Sequence, residues 1–156
     1  MYCLLYSMYL FLLIWTPMND TILALIGYIS WTLILLVWIA TYRTLLVTNK
    51  QKAPNDFKPD GSDSTPFGER LTRAQSNCVE SFAFIGGLML LALATNSAVL
   101  TDGLALLLLA ARLGQSITHL ISTSVLAVQI RFTFFVAQLG ICFYWVVLFG
   151  FKFIGV

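Results

Sequence analysis

Polar side chains concentrate in one stretch of an otherwise apolar chain, residues 69–80, which reads E-R-L-T-R-A-Q-S-N-C-V-E. On an α-helix, which turns by about 100° per residue, four of these side chains fall within an arc about 80° wide: Arg70, Arg73, Asn77 and Glu80. Gln75 falls on the opposite side of the same helix. Two guanidinium groups, an amide and a carboxylate on one face can bind a charged ligand, or can form a polar network that holds helices together.

A second polar stripe stands at positions i, i+3, i+4 and i+7 of a later apolar segment: Arg112, Gln115, Ser116 and His119. A charge in the middle of a membrane helix is by default functional or paired, and pairing Arg112 with Glu80 would satisfy both readings. A hydrogen-bonded packing role for His119 is commoner than a role as proton shuttle. Neither stripe can face lipid, because a charge at the bilayer centre costs about 2.5 to 3.5 kcal/mol even on the most lenient scale.

The composition indicates whether this chain lies in water or in a lipid bilayer. Of 156 residues, 59% are hydrophobic and 10% are charged, whereas a soluble domain carries about 25% charged residues. The chain is therefore an integral membrane protein. A net charge of +2 with scattered basic residues excludes nucleic acid as a partner. Cys3, Cys78 and Cys142 lie too far apart to indicate a disulfide framework or a zinc site.

Hydropathy and capping residues predict one all-α domain over residues 18–156, a left-handed four-helix bundle with helices at about 20–48, 66–95, 101–124 and 130–153. Asn19 or Asp20 is expected to cap the first helix, and Thr65 or Ser64 the second, with Pro66 in its first turn. Residues 49–66 read as a solvated loop. Residues 1–17 form an apolar extension, and our hypothesis is that translation starts at Met18, which an intact-mass measurement would test.

Basic residues predict the orientation of the bundle. Four crossings put both termini on one side, and the first loop and the connection to the fourth helix on the other. Those two connections hold Lys50, Lys52, Lys58, Arg70 and Arg131, whereas the turn between helices two and three holds no lysine or arginine. The positive-inside rule places them in the cytoplasm. Both polar stripes therefore meet Arg131 at the cytoplasmic end.

The stretch at residues 69–80 closely resembles the second-helix signature of the MAPEG family, the membrane-associated proteins in eicosanoid and glutathione metabolism. Its R-A-Q-x-N-C-x-E form is nearest to the microsomal glutathione transferase and leukotriene C synthase branch, and Ala111-Arg112-Leu113 also agrees. Ser81, Gln115 and His119 stand where that branch has tyrosines, which argues against leukotriene synthesis itself. The resemblance covers about residues 19–156.

The resemblance implies a homotrimer with glutathione, as co-substrate, at each subunit boundary. Arg73, Asn77 and Glu80 would hold the tripeptide, with Arg73 near a carboxylate and Glu80 near the free amino group. Gln75 would reach the site of a neighbouring subunit, and Arg43 could add a carboxylate contact.

On the same resemblance, Arg112 and His119 would line the pocket from helix three. Arg131 matches the arginine that stabilises the glutathione thiolate, and would be the catalytic residue. No metal and no tightly held organic cofactor is implied.

The implied activity is that of a transferase or peroxidase acting on a hydrophobic acceptor that enters from the lipid bilayer. A bacterial inner membrane and an endoplasmic reticulum membrane fit equally well, with the site toward the cytoplasm. The alternative is a catalytically inactive MAPEG-like protein that binds a small anionic ligand or lipid. A transporter is disfavoured, because the chain has neither an inverted repeat nor a pair of broken helices.

Overall fold

The computed structural model describes residues 19–62 and 64–155, which form four long helices: α1 (Asp20–Thr48), α2 (Pro66–Ala94), α3 (Asp102–Ile121) and α4 (Val125–Ile154). A short 3-10 helix, Ala98–Leu100, lies between α2 and α3. All four long helices are long and apolar enough to cross a membrane. The predicted all-α, four-helix architecture is confirmed. The expectation for residues 1–17 lies outside the described residues.

The first turn of α1 is stabilised by an N-cap residue and by a carboxylate from a distant part of the chain. Asn19 is the N-cap, and its side chain accepts a hydrogen bond of 2.8 Å from the backbone N–H of Ile22. The carboxylate of Asp102, at the start of α3, accepts from the backbone N–H of Thr21 at 3.0 Å and from its hydroxyl at 2.6 Å. Asp102 thus fastens the start of α1 to the start of α3.

The helix α2 carries a polar face and a core face along one continuous element. Thr65 is the N-cap and accepts from the N–H of Gly68 at 3.2 Å, with Pro66 at the first helical position. Leu71, Cys78, Ile85 and Ala92 recur every seventh residue and are fully buried. This spacing puts one row toward the core, whereas Arg73 and Glu80 of the polar stripe are exposed.

The helix α3 packs against each of the other three long helices, and α1 packs against α2. Arg112, in the middle of α3, is completely buried. At the end of the bundle away from the first loop, the ammonium of Lys152 donates to the hydroxyl of Ser97 at 2.5 Å. This contact fixes the end of α4 against the turn that precedes α3.

The connection between α3 and α4 is shorter than the sequence predicted. α3 ends at Ile121 rather than near residue 124, and α4 begins at Val125 rather than near residue 130. The cause is Ser124, whose hydroxyl accepts from the N–H of Ala127 and so caps α4 early. Arg131 therefore lies in the second turn of α4 and not at its start.

Candidate functional site

One pocket lies at the ends of α2, α3 and α4 that the sequence predicts to face the cytoplasm. It has a volume of about 420 Å³, and its polar lining comes from the first turns of α2, the end of α3, the connection that follows α3 and the second turn of α4. These polar residues are Glu69, Arg70, Arg73, His119, Thr123 and Arg131. The structure thus brings Arg73, His119 and Arg131, three of the predicted site residues, to one cavity.

Arg131 is held in this pocket by His119. Its Nη1 atom lies 2.9 Å from His119 Nδ1. A guanidinium has only donors, so Nδ1 is the acceptor and the ring carries its proton on Nε2. The contact thus requires a neutral imidazole. Among the described residues, no other hydrogen-bond partner contacts Arg131, which leaves its Nε and Nη2 donors for a ligand.

A second pocket, of about 410 Å³, adjoins the first and shares Arg73 and His119 with it. Asn77 and Glu80 line it from α2, and Asp60 and Ser62 line it from the first loop. We call the two adjoining pockets the polar cleft. The polar stripe predicted on α2 therefore faces a cavity.

The charged residues of the cleft differ in how firmly they are held. Arg73 has a side chain 66% exposed and pairs with Glu69 at 2.7 Å, one helical turn away. Arg70 instead donates through Nε to the backbone carbonyl of Leu120 at 2.9 Å, which satisfies a free carbonyl at the end of α3. Glu80 is exposed and has no hydrogen bond or ion pair within the described part of the chain. Arg73 and Glu80 are thus free to reorient toward a ligand.

Arg112 lies beneath the cleft rather than on its wall. Its Nη1 donates to the side-chain oxygen of Asn77 in a short hydrogen bond, and its guanidinium lies 5.6 Å from the centre of the Tyr28 ring. The suggested pairing with Glu80 is wrong, because Glu80 lies on the exposed side of α2 while Asn77 faces α3. Nε and Nη2 of Arg112 are buried with no partner among the residues that the structure describes.

Arg43 and Gln75 do not line the polar cleft. Arg43 Nη2 donates to the carbonyl of Lys58 at 3.2 Å, and its guanidinium lies 5.3 Å from the centre of the Phe57 ring. Gln75 is half-buried on the side of α2 away from the cleft. Their contribution to the site of a neighbouring subunit stays a prediction.

Two contacts of this region were not predicted from the sequence. Asp60 and Ser62 line the cleft, although the sequence predicted that their loop is solvated. The only local sign of a tight turn toward the bundle was Gly61, which lies between these two polar residues. The second contact joins two buried amides: Gln138 Nε2 donates to Gln115 Oε1 at 3.0 Å and so connects α4 to α3. Both glutamines were visible in the sequence, but their partnership depends on how the two helices are rotated.

The whole region that carries the site matches one protein family. A family model described as MAPEG family matches residues 21–151. This range includes α2, α3 and the part of α4 that carries Arg131. No curated protein and no solved structure matches the chain.

Proposed function

The chain belongs to the MAPEG family, and from this membership we propose that it is a glutathione-dependent membrane transferase or peroxidase acting on hydrophobic electrophiles. It is a multi-pass membrane protein, with four helices able to cross the bilayer. The observation that carries the proposal is the position of Arg131, which is held at the cleft by His119 through one donor only.

The charges of the polar cleft complement those of glutathione, which has two carboxylates, an ammonium and a thiol. Arg73 can exchange Glu69 for a ligand carboxylate, because a guanidinium binds either carboxylate with the same geometry. Glu80 can bind the ammonium, since it has no partner in the described structure. Asn77, whose side-chain oxygen accepts from Arg112, lines the same pocket as Arg73 and Glu80.

Arg131 supplies the chemistry that a glutathione enzyme needs. The reactive species is the thiolate, and an unperturbed thiol has a pKa of about 8.5. Lowering that value by about two units requires about 2.7 kcal/mol of preferential stabilisation of the thiolate, which one half-buried guanidinium can supply. The donors of Arg131 that His119 leaves unused are suited to this role.

The proposal includes an assembly of three copies of the chain and an orientation of the cleft in the membrane. A homotrimer would bring Gln75 and Arg43 of one copy toward the cleft of the next, and the apolar acceptor would enter from the lipid. The lysines of the first loop support, by the positive-inside rule, an orientation with the cleft toward the cytoplasm of either a bacterial inner membrane or an endoplasmic reticulum membrane.

A second candidate function is ligand binding without turnover, and the positions expected to hold tyrosine favour it. The hydroxyl of Ser81 donates to the backbone carbonyl of Asn77 at 2.7 Å, so it is occupied within α2. Gln115 is buried against Gln138. Neither residue offers a donor to the cleft. Of the three positions only His119 lines it, and the Nδ1 atom of His119 is occupied by Arg131.

The test is a glutathione titration of the detergent-purified protein, with the ultraviolet absorbance of the thiolate as readout. We expect wild type to bind glutathione and form thiolate, Arg131→Ala to bind but form little thiolate, and Glu80→Gln to bind more weakly. Lys50→Asn is the control for loss of a cation, because Lys50 lies in the first loop with φ 56°, which asparagine tolerates. Binding without thiolate in wild type would favour the second candidate, and no binding would refute both.

A further inference from the structure

The first loop, residues 49–65, is fixed against the bundle rather than free in solvent. Arg43, near the end of α1, donates to the carbonyl of Lys58 at 3.2 Å and stacks its guanidinium 5.3 Å from the centre of the Phe57 ring. Tyr42 and Thr65 form a short hydrogen bond through their hydroxyls at the other end of the loop. Two neighbouring residues of α1 thus hold both arms of the loop.

Gly61 brings the middle of this loop into contact with α2. It is buried and has φ +73°, a left-handed conformation that glycine adopts without penalty. A Cβ at this position would lie 2.8 Å from Thr72 Oγ1, so only a residue without a side chain permits this close approach. The residues on either side of Gly61, Asp60 and Ser62, line the same pocket as Glu80.

The side chain of Asp60 is an ionised carboxylate with one oxygen left to accept a hydrogen bond from a ligand. Its Oδ1 accepts from the backbone N–H of Ser62 at 3.1 Å and from the Ser62 hydroxyl at 2.9 Å. These two donors hold the pKa of Asp60 below its usual value, so the carboxylate is charged at neutral pH. Its Oδ2 has no hydrogen-bond partner among the residues described on either side of position 63.

The charges around this pocket favour a cationic group. Asp60 and Glu80 supply two carboxylates, whereas Arg73 is the one arginine or lysine that the described residues contribute to the lining, and it already pairs with Glu69. His119, the remaining titratable residue of the lining, is neutral in its contact with Arg131. The pocket therefore has an excess of negative charge beside a guanidinium that can bind a carboxylate.

We propose that Asp60 adds a second carboxylate to the ammonium site already assigned to Glu80, so that the first loop selects ligands with a free amino group next to a carboxylate. This inference rests on the proposed function, since it adds a residue of the first loop to the site at which the cleft would hold the amino group of glutathione. Arg43 then acts on the site from a distance, because it fixes the loop that carries Asp60.

The test compares two ligands on three proteins by isothermal titration calorimetry of the full chain in detergent. The ligands are glutathione and its deaminated analogue, in which hydrogen replaces the amino group. The proteins are wild type, Asp60→Asn and Asp56→Asn, a matched control that removes the same charge from an exposed loop position outside the pocket lining. Asparagine can still accept from Ser62, so the turn is preserved.

We expect Asp60→Asn to weaken glutathione binding about fivefold, the upper range for a charge pair open to water, and to leave the deaminated analogue unchanged. Asp56→Asn should bind both ligands as wild type does. Equal binding of glutathione by wild type and Asp60→Asn, or equal weakening of both ligands, would overturn the inference and leave the proposed function standing. Failure of wild type to bind glutathione would overturn both.

Discussion

His119 and Arg131 lie 12 residues apart on two different helices, and the 2.9 Å hydrogen bond between them joins the last turn of α3 to the second turn of α4. Because only residues 122–124 separate the two helices, the arginine points back over the end of α3. The imidazole therefore determines where the guanidinium meets the cleft.

Replacing His119 is expected to separate binding from thiolate formation. In His119→Phe the acceptor is lost and Arg131 can turn toward water, so the thiolate fraction at neutral pH should fall about tenfold, which corresponds to about 1.4 kcal/mol. His119→Asn keeps an oxygen acceptor near the place of Nδ1 and should retain most of the signal. A pH titration of thiolate absorbance checks this, and identical curves for wild type and both variants would contradict an orienting role.

Removing the partner of Arg112 is expected to destabilise the bundle. Asn77→Leu leaves a buried guanidinium without its side-chain acceptor, and hydrogen bonds to charged groups contribute about 1.5 to 3 kcal/mol. Thermal unfolding in detergent measures the effect. Ser76→Ala is the control, because Ser76 is half-buried beside Asn77 and makes no hydrogen bond with any described residue. Equal melting temperatures for Asn77→Leu and Ser76→Ala would show that water or another group satisfies Arg112.

The effects on stability of replacing Gln115 and Gln138, the buried amide pair between α3 and α4, are expected to depend strongly on each other. Gln138→Leu removes the donor to Gln115 Oε1 and leaves a buried oxygen unsatisfied, at a cost of about 1 to 3 kcal/mol. In the double variant Gln115→Leu, Gln138→Leu both polar groups are gone, and we expect most of the lost stability to return. A double-mutant cycle of thermal stability measures this coupling, and additive losses would refute it.

Gly61→Ala is expected to release the first loop. Alanine at φ +73° costs about 1 to 2 kcal/mol, and its Cβ would lie 2.8 Å from Thr72 Oγ1. Faster cleavage within residues 49–65 by limited proteolysis is the readout. Gly87→Ala is the control, since a Cβ there meets nothing within 4 Å and alanine favours a helix interior. Unchanged cleavage in Gly61→Ala would mean that the loop does not depend on this close approach.

The helices could be predicted because their signals are local. Long apolar runs and the capping residues Asn19 and Thr65 stand in the segments that they define. The start of α4 was misplaced because Ser124 precedes a mixed stretch whose first residues resemble a connection. A cap identified at Ser124 would have placed Arg131 in the second turn from the sequence alone.

The composition of the polar cleft could be predicted only in part. The stripe on α2 follows from helical periodicity, which places Arg73, Asn77 and Glu80 on one face. Which of these residues contacts α3 depends on the rotation of one helix against another, and periodicity does not fix that rotation. For the same reason Arg112 was assigned to Glu80 instead of Asn77. Asp60 was missed because a loop folds by contacts distant in sequence.

The hydrogen bonds between Asp102 and Thr21 have a consequence for how this protein is made. They join residues 81 positions apart, and the chain is synthesised from its N-terminus. When α1 first enters the membrane, the carboxylate that completes its first turn does not yet exist, and the N–H of Thr21 needs a temporary partner at the membrane surface. The final seating of the first helix is therefore a late step of biogenesis, which waits for the third helix to be inserted.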